Sequence, residues 1–249
     1  MNSLPVNNSD WLTKKILKMG GTISFCDYMN IVLNDPINGY YGSGKAELGL
    51  LGDFVTSPSL SDDFAFLLGK QLEEWLIQFK SNFISEKISV IEFGAGDGSL
   101  ISGLIKYFLD SNKKLLESIS FLIIEPNDGM REKQENKLKK FSSIGIEIIW
   151  SNLEEIEEKS INGIVIANEV LDALPVERIT FLKGKLFRQA VSVDKESLRI
   201  FLDELPITRE LEESIELSKS LLGINIPPKD ASEGWTSEWH LNNSKWLKV

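Results

Sequence analysis

Residues 90–100 read VIEFGAGDGSL: an apolar run, then three glycines at alternate positions, then the opening of a helical pattern. Glycine lets the backbone turn tightly and approach a ligand closely, and the start of the helix offers free amide donors. A strand entering such a turn and a helix leaving it form the βα half of an open α/β sheet. The spacing discriminates among ligands. A dinucleotide fingerprint wants glycine at 94, 96 and 99, but position 99 is Ser99, which argues against a nicotinamide-dependent oxidoreductase. What stands instead is Glu92 followed by Gly94, Gly96 and Gly98.

Downstream, β-branched apolar runs at 88–93, 121–125, 144–150 and 163–168 alternate with the helical stretches SLISGLIKYFLD and NDGMREKQENKLKKF. That alternation predicts a parallel sheet with right-handed crossovers. The second strand ends in Glu125, where a carboxylate overlooks the crevice at the strand C-termini and can accept both hydroxyls of a ribose. Ser151, Asn152 and Leu153 follow the third strand, where an adenine is usually held. After Pro175 the rhythm changes. ERITFLKGKLFRQAVSV predicts an antiparallel hairpin closed at Lys183 and Gly184, SLRIFLDEL one more strand, and TRELEESIELSKSLLG a helix.

Upstream, SDWLTKKILKMGG predicts a helix capped by Ser9 or Asp10 and stopped at Gly20 and Gly21. A second helix is expected to start at Thr22 or Ser24 and to end at or before Pro36. NGYYGSGKAELGLLGDFVTSPSLS follows without any period, and a loop of this length is more often functional than filler. FAFLLGKQLEEWLIQF restores a helical stripe. The expected division is a helical region with a lid loop over 1–85 and a Rossmann-like domain over 86–249, with an insertion at about 176–235.

The chain has 249 residues, 42% hydrophobic and 26% charged, an ordinary globular mix. Its net charge of −10 disfavours nucleic acid as a partner. No apolar run is long enough to span a bilayer, and the first residues lack the pattern of a signal peptide, so a cytoplasmic location is expected. Cys26 is the only cysteine and His240 the only histidine, which excludes an internal disulfide and a Cys/His zinc site and leaves no metal centre in view.

Glu92 and the glycine loop together resemble the S-adenosylmethionine loop of class I methyltransferases. Three segments narrow the likeness: GYYGSG with GDFVTSP, then EFGAGDGSL, then ANEVLDALPVER. They resemble the MidA-type methyltransferases, a family that includes the mitochondrial complex I assembly factor that methylates an arginine in a core subunit. The resemblance runs from about residue 20 to the end. It implies S-adenosyl-L-methionine as cofactor and methyl transfer to an arginine of a partner protein belonging to a respiratory-type complex.

The same resemblance suggests that GDFVTSP folds over the cofactor, with Asp53 in the loop, Phe54 packing, Thr56 and Ser57 donating hydrogen bonds, and Tyr40 and Tyr41 lining the lid. A guanidinium is always protonated and needs carboxylates to orient it and take its proton. Glu169 and Asp172, with Asn168 beside them, are the candidates at the end of the fourth strand, although residues of these types also cap turns. Asp97 departs from the arginine common at its place in the family.

A class I sheet resembles seven strands, yet only four parallel strands precede the hairpin. The last of the expected elements is a short amphipathic helix in SEWHLNNSKWLKV carrying Trp239 and Trp246 on one face. The C-terminal strands of the sheet are therefore expected to be missing through truncation. Catalysis would then be weakened, and a non-enzymatic assembly factor retaining the cofactor fold is the alternative. The N-terminal helices are open as a lid, a docking arm or the contact of a homodimer.

Overall fold

A computed structural model describes residues 10–82, 87–158 and 160–241. The chain divides into two compact units. One takes the residues up to Leu33 and those from Leu174 onward, and the other takes Asn34–Ala173.

The Asn34–Ala173 unit holds four strands: β2 (Ile88–Phe93), β3 (Ile119–Ile124), β4 (Ile148–Ser151) and β5 (Gly163–Ala167). All are parallel, in the order β4-β3-β2-β5, as the alternation of runs predicts. Helices α3 (Ser57–Leu60), α4 (Asp63–Asn82), α5 (Ser99–Ser111), α6 (Lys113–Leu116) and α7 (Asp128–Ser142) complete it. The core joins Leu72 and Leu76 of α4, Leu100, Ile101 and Leu104 of α5, Leu138 and Phe141 of α7, and Val90 and Phe121 of the sheet. Burying each such large side chain contributes about 1.5–3 kcal/mol.

The register aligns the strand ends. Phe93 lies opposite Ile124 and Ala167, and Ile124 opposite Ser151. The residues that follow, Gly94, Glu125, Asn152 and Asn168, therefore emerge along one rim of the sheet. At the far side β5 pairs with β2 alone among the described residues, and its Val165 is 54% exposed.

The other unit contains α1 (Asp10–Lys18), β1 (Thr22–Ser24), α2 (Phe25–Asn34), β6 (Glu177–Leu182), β7 (Lys185–Val193), β8 (Ile200–Pro206), α8 (Arg209–Leu222) and β9 (Thr236–Trp239). The β6–β7 hairpin turns at Lys183 and Gly184 as expected, and β8 runs antiparallel along β7. Thr208 caps α8 through its hydroxyl, and left-handed Gly223 ends it.

Three expectations differ from the structure. Thr22 belongs to a strand, because its triplet pairs with β7, burying Ile23 and placing the Thr22 hydroxyl 2.6 Å from that of Ser192. Ser24 does open α2, accepting the Asp27 amide at 3.0 Å. Trp239 lies in β9 and not in a helix, since the open edge of β6 offers it a strand partner in Glu177; Trp246 falls outside the described residues. The expected boundary at 85 and 86 crosses a single core, since Leu72 and Leu76 of α4 pack with α5 and the sheet.

Candidate functional site

The glycine loop is built from left-handed backbone. Gly94, Gly96 and Gly98 have φ of 58°, 55° and 81°, a region that side chains with a Cβ rarely adopt. The Gly94 amide donates to the Ile124 carbonyl (3.0 Å), fixing the loop to the next strand. Asp97 accepts the Ser99 amide at the start of α5 (3.0 Å), and its other oxygen takes the Lys137 ammonium. Burial raises the Asp97 pKa, but the hydrogen bonds from Lys137 and Ser99 outweigh it and hold the carboxyl below its usual range. This aspartate is occupied within the protein, by the Ser99 amide and Lys137.

Glu125 is 5% exposed. Its Oε1 accepts the Asn127 amide (3.0 Å) and its Oε2 accepts Gln134 Nε2 (2.9 Å), so each oxygen is oriented by a hydrogen bond from the protein. Burial pushes its pKa up, and the bonds from Asn127 and Gln134 oppose that. Glu92, one strand over and 3% exposed, has an Oε2 with no hydrogen-bond partner. Burial, reinforced by the Asp97 charge, raises its pKa to about 8, so it is mostly a neutral acid at pH 7.

Sequence reasoning missed Gln134. It is fully buried, donates from Nε2 to the Gly96 carbonyl (2.9 Å) as well as to Glu125, and accepts the Trp150 indole N–H (3.1 Å). The signal was present: Met130, Gln134, Leu138 and Phe141 form the buried stripe of α7, and a glutamine stands where an apolar residue would serve packing.

The loop after α2 closes on itself. Tyr40 donates to Asp53 Oδ2 (2.7 Å), and the Phe54 ring stands 6.3 Å from that of Tyr40. Lys133 of α7 donates to the Ala46 carbonyl (2.6 Å), and Leu48 approaches Gly96 so closely that a Cβ there would come within 2.7 Å of its Cδ1. The loop thus lies over the glycine turn, while the Asp53 carboxylate is used inside the loop. Thr56 and Ser57 sit at the start of α3, where the Thr56 amide donates to Ser59 Oγ (2.9 Å). Ser151 and Asn152 bind Glu155 in the turn at Leu153–Glu155, through the Ser151 hydroxyl (3.0 Å) and the Asn152 amide (2.9 Å).

At the end of β5, Asn168 is half-buried and Glu169 exposed, with Glu169 at φ 51°. Asp172 is exposed in the turn Leu171–Ala173. The Tyr41 hydroxyl titrates above its usual range through burial and through the charges of Asp172 and Glu125, so this ring stands in the field of both carboxylates. Gly94, Gly96, Leu48, Tyr41, Glu125, Gln134 and Asp172 are therefore drawn together. A cavity of about 280 Å³ beside α5, lined in part by Lys106 and Lys137, has those two lysines already paired with Asp62 and Asp97.

Comparison with known proteins places this geometry among relatives. Residues 67–249 match the family Methyltransf_28, described as "Putative S-adenosyl-L-methionine-dependent methyltransferase". The chain is 29% identical over 204 residues to "Protein arginine methyltransferase NDUFAF7, mitochondrial" of Danio rerio, covering 75% of this chain and 47% of that protein. The Xenopus laevis protein of the same name is 30% identical over 199 residues, covering 72% and 44%. The chain spans about half the length of the curated relatives it matches. A Burkholderia thailandensis protein solved bound to S-adenosyl-homocysteine superposes with a TM-score of 0.70 at 27% identity, covering 98% of this chain and 61% of that one. The expected cytoplasmic location is corrected by these relatives, which are named as mitochondrial. Among the described residues, no helix is long and apolar enough to cross a membrane.

Proposed function

The chain belongs to the Methyltransf_28 family, and from that premise we propose that it is a methyltransferase of Rossmann-like class I fold, with S-adenosyl-L-methionine held between the glycine loop and Glu125. One observation carries the reading: the buried Glu125 carboxylate stands at the end of β3 beside a left-handed glycine turn, its two oxygens oriented by the Asn127 amide and by Gln134. A ribose diol has the two donors that such a carboxylate accepts. The turn suits the group, because its three glycines hold positive φ and present backbone with no side chain in the way. Glu92 backs the turn, Ser151, Asn152 and Leu153 border the adenine, and Asp53, Phe54, Thr56 and Ser57 belong to the covering loop.

We infer an arginine of a partner protein, on a subunit of a respiratory-type complex, as the acceptor. When bound, the cofactor supplies an electrophilic methyl group on a sulfonium. On transfer of that group the guanidinium nitrogen would give up a proton, which the chain's own residues would have to take. Glu169 and Asp172 are exposed carboxylates near the strand ends, able to orient the fork and accept that proton, and the Asn168 amide can accept a further N–H. Relatives named as protein arginine methyltransferases support this reading.

The test is incubation with methyl-labelled cofactor and arginine-bearing subunits or peptides, followed by hydrolysis and detection of methylarginine. Label in methylarginine, lost in Glu169→Gln or Asp172→Asn, supports the enzyme. Cofactor binding without any methylarginine favours the second reading, a non-enzymatic assembly factor, whose motive is the single-sided pairing of β5 among the described residues.

A further inference from the structure

We propose that Gln134 is the positioning residue of the Glu125 site, its carboxamide locking the carboxylate to the glycine loop in the orientation that accepts a ligand's hydroxyl groups. This rests on the cofactor reading above and adds to it a residue that makes no contact with the ligand.

Both donors of the amide are used, and its oxygen accepts one bond. Its two N–H groups go to Glu125 Oε2 and to the Gly96 carbonyl, each at 2.9 Å, and its oxygen takes the Trp150 indole N–H at 3.1 Å. The reverse orientation would set the oxygen against two acceptors and the NH₂ against a donor, so the network allows one arrangement only. A buried amide held by three hydrogen bonds is rigid, and it joins three elements: β3 through Glu125, the glycine turn through Gly96, and β4 through Trp150.

Glutamine is the side chain this position requires. A leucine would fill the stripe of Met130, Leu138 and Phe141 equally well but would leave Glu125 Oε2 and the Gly96 carbonyl without donors. A glutamate would face Glu125 with a second negative charge. The other groups around Glu125 do not replace the donor. The Asn127 amide donates to the other oxygen, Oε1, Glu92 Oε2 on β2 has no hydrogen-bond partner, Tyr41 lies in the field of the carboxylate, and Lys137 of α7 is committed to Asp97.

Two variants separate positioning from packing. Gln134→Met keeps length and volume and removes the donors, whereas Gln134→Glu keeps shape and adds a titratable proton. The first readout needs no ligand: the side-chain carboxyl resonance of Glu125 in glutamate-labelled protein, assigned by Glu125→Gln, followed over pH. The expected result is a titration moved upward by about one unit in Gln134→Met, since a hydrogen bond to the charged form is gone. The second readout is calorimetry with S-adenosylhomocysteine. Gln134→Met should bind about tenfold more weakly, the loss of about one charge-assisted hydrogen bond. Gln134→Glu should bind worst at pH 8, with two facing carboxylates, and recover in part near pH 5, where the added carboxyl holds a proton it can donate to Glu125.

An unmoved Glu125 titration, or a Gln134→Glu defect independent of pH, would overturn the proposal and leave Gln134 a filler of the core. Failure of the parent protein to bind S-adenosylhomocysteine would count against the cofactor reading instead, and the ligand-free titration would then decide the role of Gln134 alone.

Discussion

Gly44 in the loop after α2 and Gly129 in the first turn of α7 meet backbone to backbone: a Cβ on Gly44 would stand 2.6 Å from the Gly129 carbonyl oxygen. The Gly129 amide also donates to the Gly42 carbonyl (3.3 Å), so the covering loop is moored to the helix that carries Gln134. Gly129→Ala should push the two apart. We expect a loss of roughly 1–3 kcal/mol in stability, as for other overpacked contacts, read by urea unfolding, together with weaker S-adenosylhomocysteine binding. Unchanged values in both would mean that the loop is held elsewhere.

The glycine turn should also be sensitive to acid through Asp97. Although burial opposes it, the hydrogen bonds from Lys137 and Ser99 hold this carboxyl below its unfolded value. Its contribution is therefore present above the unfolded pKa and lost as pH falls through the lowered folded one. Asp97→Asn should cost about 1 kcal/mol at pH 7, where partial exposure limits the ion pair. That difference should be smaller at about pH 3, as the lowered folded pKa is approached. Unfolding free energies at the two pH values check it.

Glu92 should have the opposite sign. Its folded pKa, about 8, lies above the unfolded value because of burial, aided by the Asp97 charge. Between about pH 4.5 and 8 the unfolded chain releases a proton that the folded chain keeps, so stability falls over that window and levels off above it. Glu92→Gln removes the titration, and its melting temperature should vary less from pH 5 to 8 than that of the parent. Parallel curves would place the Glu92 pKa near its ordinary value.

In the unit containing the hairpin, Arg188 Nη1 pairs with Glu177 Oε1 at 3.1 Å, both side chains being largely buried. Arg188→Met leaves Glu177 buried without its partner and should destabilise by about 3 kcal/mol or more. Adding Glu177→Gln should recover part of the loss. A double variant no better than the single one would show that the guanidinium acts through packing and not through the pair.

Legibility in the sequence follows the range of the forces involved. The four parallel strands, the loop of Gly94, Gly96 and Gly98, and Glu125 at the end of β3 were readable because each rests on a local pattern: an apolar run, a glycine spacing, a carboxylate at a run's end. β1 was not, since three residues have no period, and their strand partner, Ser192, lies 170 positions away. Trp239 satisfied a helical spacing but took the edge of β6, a choice made by tertiary contact. Gln134 was hidden differently. Its position in the buried stripe is visible in MREKQENKLKKF, but its three hydrogen-bond partners lie on other elements. Asp53, Ser151 and Asn152 sit in the expected loops, with polar groups engaged in closing those loops.

The central claim is that Glu125 and the glycine turn hold S-adenosyl-L-methionine, and the most direct measurement is calorimetric titration of the purified chain with S-adenosylhomocysteine, beside Glu125→Ala and a nicotinamide dinucleotide. The account predicts saturable binding at one site, weakened at least about tenfold in Glu125→Ala, and no heat from the dinucleotide. Absence of binding by a demonstrably folded chain, or equal affinity in Glu125→Ala, would contradict it.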